Sequence, residues 1–226
     1  MISISKRTSM ALFSDPKDHY SHRVRIVMEE KGISSEIIYT DINSLEDELL
    51  QLIPYRTLPV LVDRDVCLYD SVVLMEYLDE RFPHPPLLPV YPVSRAQIRL
   101  FIQRVEKEWS TLFDSIFNKE LSDKEEKKAR QKLRSYLLSA APIFKEKDFF
   151  MSDDFSIVDC CISPILWRLP SIGIDLREEA KTRPLHQYMK RVFTRDSFIK
   201  SLSELEREMR SVWSRNLDFL SFPLPL

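Results

Sequence analysis

Glycine is nearly missing from this chain of 226 residues; Gly32 and Gly173 are the only two. A backbone that cradles phosphates needs several glycines close together, so the dinucleotide fingerprint and the P-loop are both excluded, and most nucleotide-dependent enzymes with them. An excess of positive charge is missing too. The formal net charge is -2, with 33 Lys and Arg against 35 Asp and Glu, whereas a sequence-independent grip on nucleic acid needs uncompensated cations facing phosphates. The most basic stretch, Lys124 to Arg134, is broken by Glu125 and Glu126 and reads as a solvated helix face. Direct nucleic-acid binding is therefore not expected. No apolar run approaches the roughly 20 residues that span a bilayer, and the polar start Met1 to Ser9 lacks the apolar core of a signal peptide. A cytoplasmic protein without a membrane partner is the expectation. Cys67, Cys160 and Cys161 form no CxxC pair, and two of them are adjacent, a poor geometry for bridging. Reduced, mostly buried thiols are expected.

Proline, in contrast, is concentrated. Five of the 14 prolines fall in Phe82 to Val93, at 83, 85, 86, 89 and 92, where they forbid helix and stiffen an extended connection. Before this segment short apolar strands alternate with helical patterns; after it the chain reads as helix with brief breaks. The reading is an α/β module at 7–82, a proline-rich linker at 83–94, an all-helical module at 95–214 and an apolar tail at 215–226, FLSFPLPL at its end.

In the first module the pattern predicts strands at Ser9 to Phe13 and Glu36 to Thr40 around a helix from Ser21 to Lys31 that ends at Gly32. A helix near Leu45 to Ile53, strands Pro59 to Val62 and Val66 to Tyr69 about a tight turn, and a helix from Ser71 to Arg81 complete the order βαβαββα. In the second module Ile98, Phe101, Ile102, Val105, Trp109, Leu112, Phe113 and Ile116 recur at three and four residues, predicting one long helix from Arg95 to Asn118 with a core-facing stripe. Further helices are predicted at Lys124 to Glu146, Ile157 to Leu169, Pro184 to Phe193 and Ser197 to Ser214.

The order βαβαββα, with Thr57-Leu58-Pro59-Val60-Leu61 before the hairpin, resembles a thioredoxin-like domain, in which a cis-proline starts the third strand. Such a bond would turn the backbone of Leu58 toward an extended peptide such as glutathione; a trans proline would merely start an edge strand. Asp70-Ser71 opens the next helix. In glutathione transferases an acid-serine pair at this point holds the γ-glutamyl end of the peptide, although either residue is also an ordinary helix cap. Ser156 and Asp159, three residues apart, read as a capping box, and the same S-x-x-D sits in the transferases' sixth helix, where it serves folding. Taken together, Arg7 to Arg210 resembles the glutathione-transferase fold: a thioredoxin-like N-terminal domain and a C-terminal helical bundle.

A closer resemblance lies in Tyr20 to Ile26 (YSHRVRI), Met75 to Leu87 (MEYLDERFPHPPL), Leu166 to Pro170 (LWRLP), Arg191 to Phe193 and Arg195 to Phe198. These segments resemble the stringent starvation protein A family, bacterial RNA-polymerase-associated proteins of the transferase fold that act on transcription in starvation, stationary phase and acid stress. The resemblance implies a non-enzymatic regulator with no cofactor. Its partner would be RNA polymerase holoenzyme, reached through a surface pocket around Phe82, Pro83, His84, Pro85, Pro86 and Tyr91. It also implies a homodimer, or a heterodimer with a paralogue, meeting through helices 71–81 and 95–118. Composition alone would read the prolines as a staple between linker and helix.

The competing reading is a glutathione-dependent transferase or isomerase with an atypical catalytic residue. Transferases carry a Ser, Tyr or Cys near the end of the first strand, to bind or stabilise a thiolate. Matching Arg23-Val24-Arg25 to the arginine-containing turn of zeta- and omega-like transferases puts Asp18 at that position, and a carboxylate there would repel a thiolate. Ser14, Tyr20 and Ser21 remain as substitutes. Their ordinary roles would be a turn residue, a ring packed beside the helix start and a helix cap. His19 and His22 read as solvated loop histidines, because two ligands without a third define no metal site.

Overall fold

The computed structural model describes residues 9–176 and 179–214; residues 1–8 and the tail 215–226 lie outside the described residues. β1 (Ala11–Ser14), α1 (His19–Glu30) and β2 (Glu36–Tyr39) form a parallel unit with Ala11 opposite Glu36. A 3-10 turn at Ile42–Ser44 and α2 (Asp47–Leu52) lead to the hairpin β3 (Val60–Asp63) and β4 (Val66–Tyr69), and α3 (Ser71–Arg81) follows. The sheet order is β2-β1-β3-β4, with β3 antiparallel to both neighbours. Side chains alternate across a strand. Leu12 and Leu61 therefore face the layer of α1 and α3, while Val60 and Val62 join Leu45, Leu49 and Ile53 in a smaller cluster under α2.

α4 (Pro92–Arg104) opens the helical module, and Pro92 stands at its first turn, where a missing N–H costs nothing. The linker therefore gives way to helix two residues before the expected end at 94. The long helix expected at 95–118 is interrupted by a π-helical turn, Val105–Ser110, before α5 (Thr111–Phe117). α6 (Asp123–Ala140) stops ahead of Pro142, which cannot donate to the helical ladder, and α7 (Ile143–Glu146) is a separate turn. α8 (Ile157–Arg168), a 3-10 turn at Leu169–Ile172 and α9 (Arg183–Phe193) follow. The last expected helix is two, α10 (Asp196–Ser201) and α11 (Glu204–Ser214). Ser203 divides them because its hydroxyl accepts from the Glu206 N–H at 3.1 Å while its own N–H donates to Glu206 Oε2 at 2.8 Å, a capping box that starts α11 afresh.

Every residue of α8 is buried. It packs against α1, which also touches α3 and α10, so one apolar core runs from Leu12, Val24 and Leu74 through Ile162 and Leu166 to Tyr188. The Ser156–Asp159 capping box starts α8. Asp159 Oδ2 accepts from the Ser156 N–H (2.9 Å) and hydroxyl (3.0 Å), and Oδ1 accepts from the Phe150 N–H (3.0 Å) and the Tyr188 hydroxyl (2.7 Å). Burial nevertheless pushes this carboxyl above its ordinary range. Cys160 and Cys161 are buried and Cys67 is half-buried, all three free. Among the described residues no helix is long and apolar enough to cross a membrane.

Candidate functional site

Two places hold the residues singled out from sequence: the cleft where β1 meets α1, and the exposed segment between α3 and α4. The cleft begins at Asp18. Its backbone is extended and its carboxylate accepts from the Ser21 N–H (2.6 Å) and hydroxyl (2.7 Å), so Asp18, rather than Ser21, is the cap, and α1 starts at His19, two residues earlier than expected. Burial pushes the Asp18 carboxyl up to about 6, against the pull of the Ser21 bonds.

The three substitute hydroxyls all point at protein acceptors. Ser21 donates to Asp18, and the Tyr20 hydroxyl donates to Asp114 Oδ2 at 2.7 Å. Ser14 donates weakly to the Asp15 carbonyl at 3.3 Å and is itself capped by Arg25 Nη1. Ser14 is a fully buried strand residue rather than a turn residue. Tyr20 lies under the Arg23 guanidinium, 4.8 Å from its ring centre, and burial beside Asp114 and Glu106 raises its phenol further.

Leu58–Pro59 is a cis peptide, with Pro59 buried and Leu58 half-buried. Asp70 stands at φ 72° and turns its carboxylate onto the N–H groups of Val72 (2.9 Å) and Val73 (3.2 Å). The first-turn amides that would greet an anionic ligand are thereby partly satisfied from within. Ser71 is buried, and its hydroxyl accepts from Arg23 Nη1 at 3.4 Å. Arg23 also reaches Glu106 Oε1 (2.5 Å), Ser110 Oγ (2.9 Å) and the Cys161 carbonyl (3.1 Å). Glu106 and Ser110 both belong to the π-helical turn. The neighbouring Cys161 thiol, 3.9 Å from Glu106, is pushed up to about 12 by burial and stays protonated.

The histidines are not solvated. His19 and His22 are buried because α1 is enclosed by α3, α8 and α10, which cover these polar positions along with the apolar ones. His19 Nε2 sits 3.0 Å from Asp114 Oδ1, and burial pushes the ring down to about 4. His22 lies between Ser201 and Arg168 and is likewise driven toward the neutral form by burial and the adjacent arginines. Among the described residues no group of three or more His, Cys, Asp or Glu is placed to hold a metal ion.

Behind the cleft lies a network that sequence reasoning missed. Fully buried Glu206 takes Arg25 on both oxygens at 2.6 Å and is also bonded by Arg168. Arg168 continues to the carbonyls of Lys17 (2.8 Å) and Asp18 (3.0 Å), fixing the β1–α1 loop. Two clues were in the sequence: Ser203-Glu204-Leu205-Glu206 is a capping-box pattern, and Arg168 ends a largely apolar helix.

The second place has the opposite character. Pro83, His84, Pro85 and Pro86 are all exposed, Phe82 is half-buried and Tyr91 is 74% exposed. His84–Pro85 is a second cis peptide. Leu87 and Leu88 turn inward, and the Leu87 carbonyl accepts from the Ile157 N–H at 3.0 Å, tying the segment to the start of α8. Pro86 and Val90 line one side of a groove of about 400 Å³ whose other walls include Ile98, Phe101, Phe150 and Met151.

Comparison with known proteins agrees with this architecture. Residues 12–86 match the family model "Glutathione S-transferase, N-terminal domain" and 102–196 match "Glutathione S-transferase, C-terminal domain". Among solved structures, rice GST1 (OsGSTU1) in complex with glutathione superposes with a TM-score of 0.77 at 24% identity, over 92% of this chain and 97% of that one. A stringent starvation protein A homolog of Coxiella burnetii is 48% identical over 92% of this chain and 98% of its own length. That of Haemophilus ducreyi is 48% identical over 89% and 93%. With close relatives matched almost end to end and the two transferase modules in place, the chain belongs to the stringent starvation protein A family, built on the glutathione-transferase fold.

Proposed function

We propose that this protein is a non-enzymatic regulator of transcription that associates with RNA polymerase holoenzyme, in starvation, stationary phase and acid stress, through the surface formed by Phe82, Pro83, His84, Pro85, Pro86 and Tyr91. The observation that carries the reading is that a proline-stiffened, aromatic-flanked segment is exposed at Pro83 to Pro86 while both of its ends are anchored. Three prolines in four residues remove most of the backbone entropy that binding would otherwise cost, so a small patch can dock without first folding. Membership in a family named for starvation supports the same direction. The decisive measurement is retention of purified RNA polymerase holoenzyme by the immobilised protein. Replacing Pro83, His84 and Pro85 together by alanine is expected to abolish it, and unchanged retention would overturn the reading.

Loss of transferase activity follows in this reading from the cleft. A capping carboxylate occupies position 18, and the hydroxyls of Ser14, Tyr20 and Ser21 are directed at Asp15, Asp114 and Asp18. The second reading, a glutathione-dependent transferase or isomerase, draws on the cis Leu58–Pro59 bond and on Asp70-Ser71 at the start of α3. Retention on glutathione resin with turnover of a general electrophile, both lost in Ser71→Ala, would establish it.

A homodimer, or a heterodimer with a paralogue, is the proposed assembly. α3 and α4 are tied side by side by Arg99–Glu76 and Arg95–Glu80, and together they expose Val73, Val93 and Leu100. Sedimentation of the protein as a monomer at micromolar concentration would remove this proposal.

A further inference from the structure

The exposed segment has few means of holding its own shape. Pro83, Pro85 and Pro86 carry no N–H, so between residues 83 and 86 only His84 can donate from the backbone. The segment's form must be imposed from outside, through its carbonyls and the first N–H that follows it. Both of these are gripped from beneath by one buried ion pair. Lys31, the residue that closes α1, sends its ammonium to Asp79 Oδ1 at 2.5 Å and also to the Pro85 carbonyl. The same Asp79 Oδ1, on the last turn of α3, accepts from the Leu87 N–H at 2.8 Å. The Lys31 side chain has no solvent exposure and that of Asp79 has 8%. The pair thus holds the chain on either side of Pro86, one grip on the carbonyl before it and one on the N–H after it.

Fold stability gives little reason for this arrangement. A buried ion pair recovers roughly its own desolvation cost, and apolar residues of similar volume often serve as well or better. What a pair with two directional bonds to a donor-poor loop adds is a single defined course for the backbone. We propose that Lys31 and Asp79 are positioning residues for the docking surface, fixing the Pro83 to Pro86 segment in the shape that the polymerase recognises. This rests on the docking reading above.

The experiment uses the full chain and purified RNA polymerase holoenzyme, with four variants beside the wild type. Lys31→Met/Asp79→Asn removes both charges at once and leaves no unpaired ion, and the neutral amide offers the Leu87 N–H a weaker acceptor than the carboxylate it replaces. It is expected to keep the wild-type assembly and melting temperature within a few degrees, yet bind polymerase at least tenfold more weakly. Hydrogen exchange at Leu87 is expected to quicken at least tenfold in the same variant. Lys31→Arg keeps charge and donors, and is expected to restore binding to within a few-fold of wild type, a rescue that a space-filling role would not demand. Should the double variant fail to fold, Asp79→Asn alone carries the test with an expected loss of several-fold.

Wild-type binding in the folded double variant, or in Asp79→Asn where only that one folds, overturns the proposal. Failure of the docking reading looks different: there Pro83, His84 and Pro85 changed together to alanine would bind as wild type, whereas failure of the clamp alone leaves that triple variant defective and the clamp variants intact.

Discussion

The cleft at the start of α1 and the proline segment after α3 differ in what their polar groups do. In the cleft, Asp18, Ser14, Ser21, Tyr20, Arg23 and Arg25 are bonded to one another or to distant parts of the chain. In the segment, Pro83 to Pro86 present their rings to solvent and are held only along their inner side. Within one transferase-fold chain, the polar groups at the start of α1 are spent on internal bonds while those of the proline segment are left facing solvent. Conservation of fold thus says little about where function sits.

The sharpest way to break this contrast is to attack the cleft and look for loss of fold rather than of ligand binding. Glu206→Gln leaves Arg25 and Arg168 buried without their carboxylate, a change that typically costs about 3–5 kcal/mol. At roughly 2–4 °C per kcal/mol for a chain of this size, the melting temperature is expected to fall by about 6–20 °C. A drop of a degree or two would show that the network contributes little.

A smaller effect separates two neighbours at the start of α1 with opposite responses to acid. Asp18 holds its proton more tightly when folded, with its carboxyl raised from 3.8 to about 6, so its contribution is fully present below pH 3.8 and is lost as pH rises through 6. His19 is lowered from 6.5 to about 4, so its contribution is present above pH 6.5 and is lost as pH falls through 4. The two oppose each other across the same window. Asp18→Asn keeps a capping oxygen but removes the first contribution. Its stability in urea is expected to fall more steeply than wild type between pH 7 and 4.5, by on the order of 2 kcal/mol. Parallel curves would refute the opposition.

The smallest expected effect is on stability at the segment itself. Alanines at 83, 84 and 85 remove exposed side chains, and surface changes of this kind usually stay within about 0.5 kcal/mol each. A melting temperature within a few degrees of wild type is the expected result. A collapse there would mean that the segment is a structural staple, the reading that composition alone favours.

How much of this was legible in the sequence can be argued from particular residues. The order βαβαββα and the Ser156–Asp159 box came from local signals, each carrying its information within a few residues. Boundaries missed by a few residues wherever a side chain decided them: Asp18 moved the start of α1 forward, and Ser203 divided the last helix. The burial of His19 and His22 was not legible, because α1 carries no clean apolar stripe and is enclosed by α8 and α10, which lie more than a hundred residues away along the chain. Lys31 and Asp79 stayed hidden for the same reason. A lysine closing a helix and an aspartate in the last turn of another are ordinary surface residues until the fold brings them together.

The Arg25–Glu206 pair bears on how the protein is made. Its two members are separated by 181 positions, and translation at roughly 5–20 residues per second puts about 10–40 s between their appearances on the ribosome. Through that interval the first helix carries a cation meant for the interior with no carboxylate to meet it. The N-terminal module is therefore expected to remain unsettled on the nascent chain until α11 has been made and Glu206 can meet Arg25.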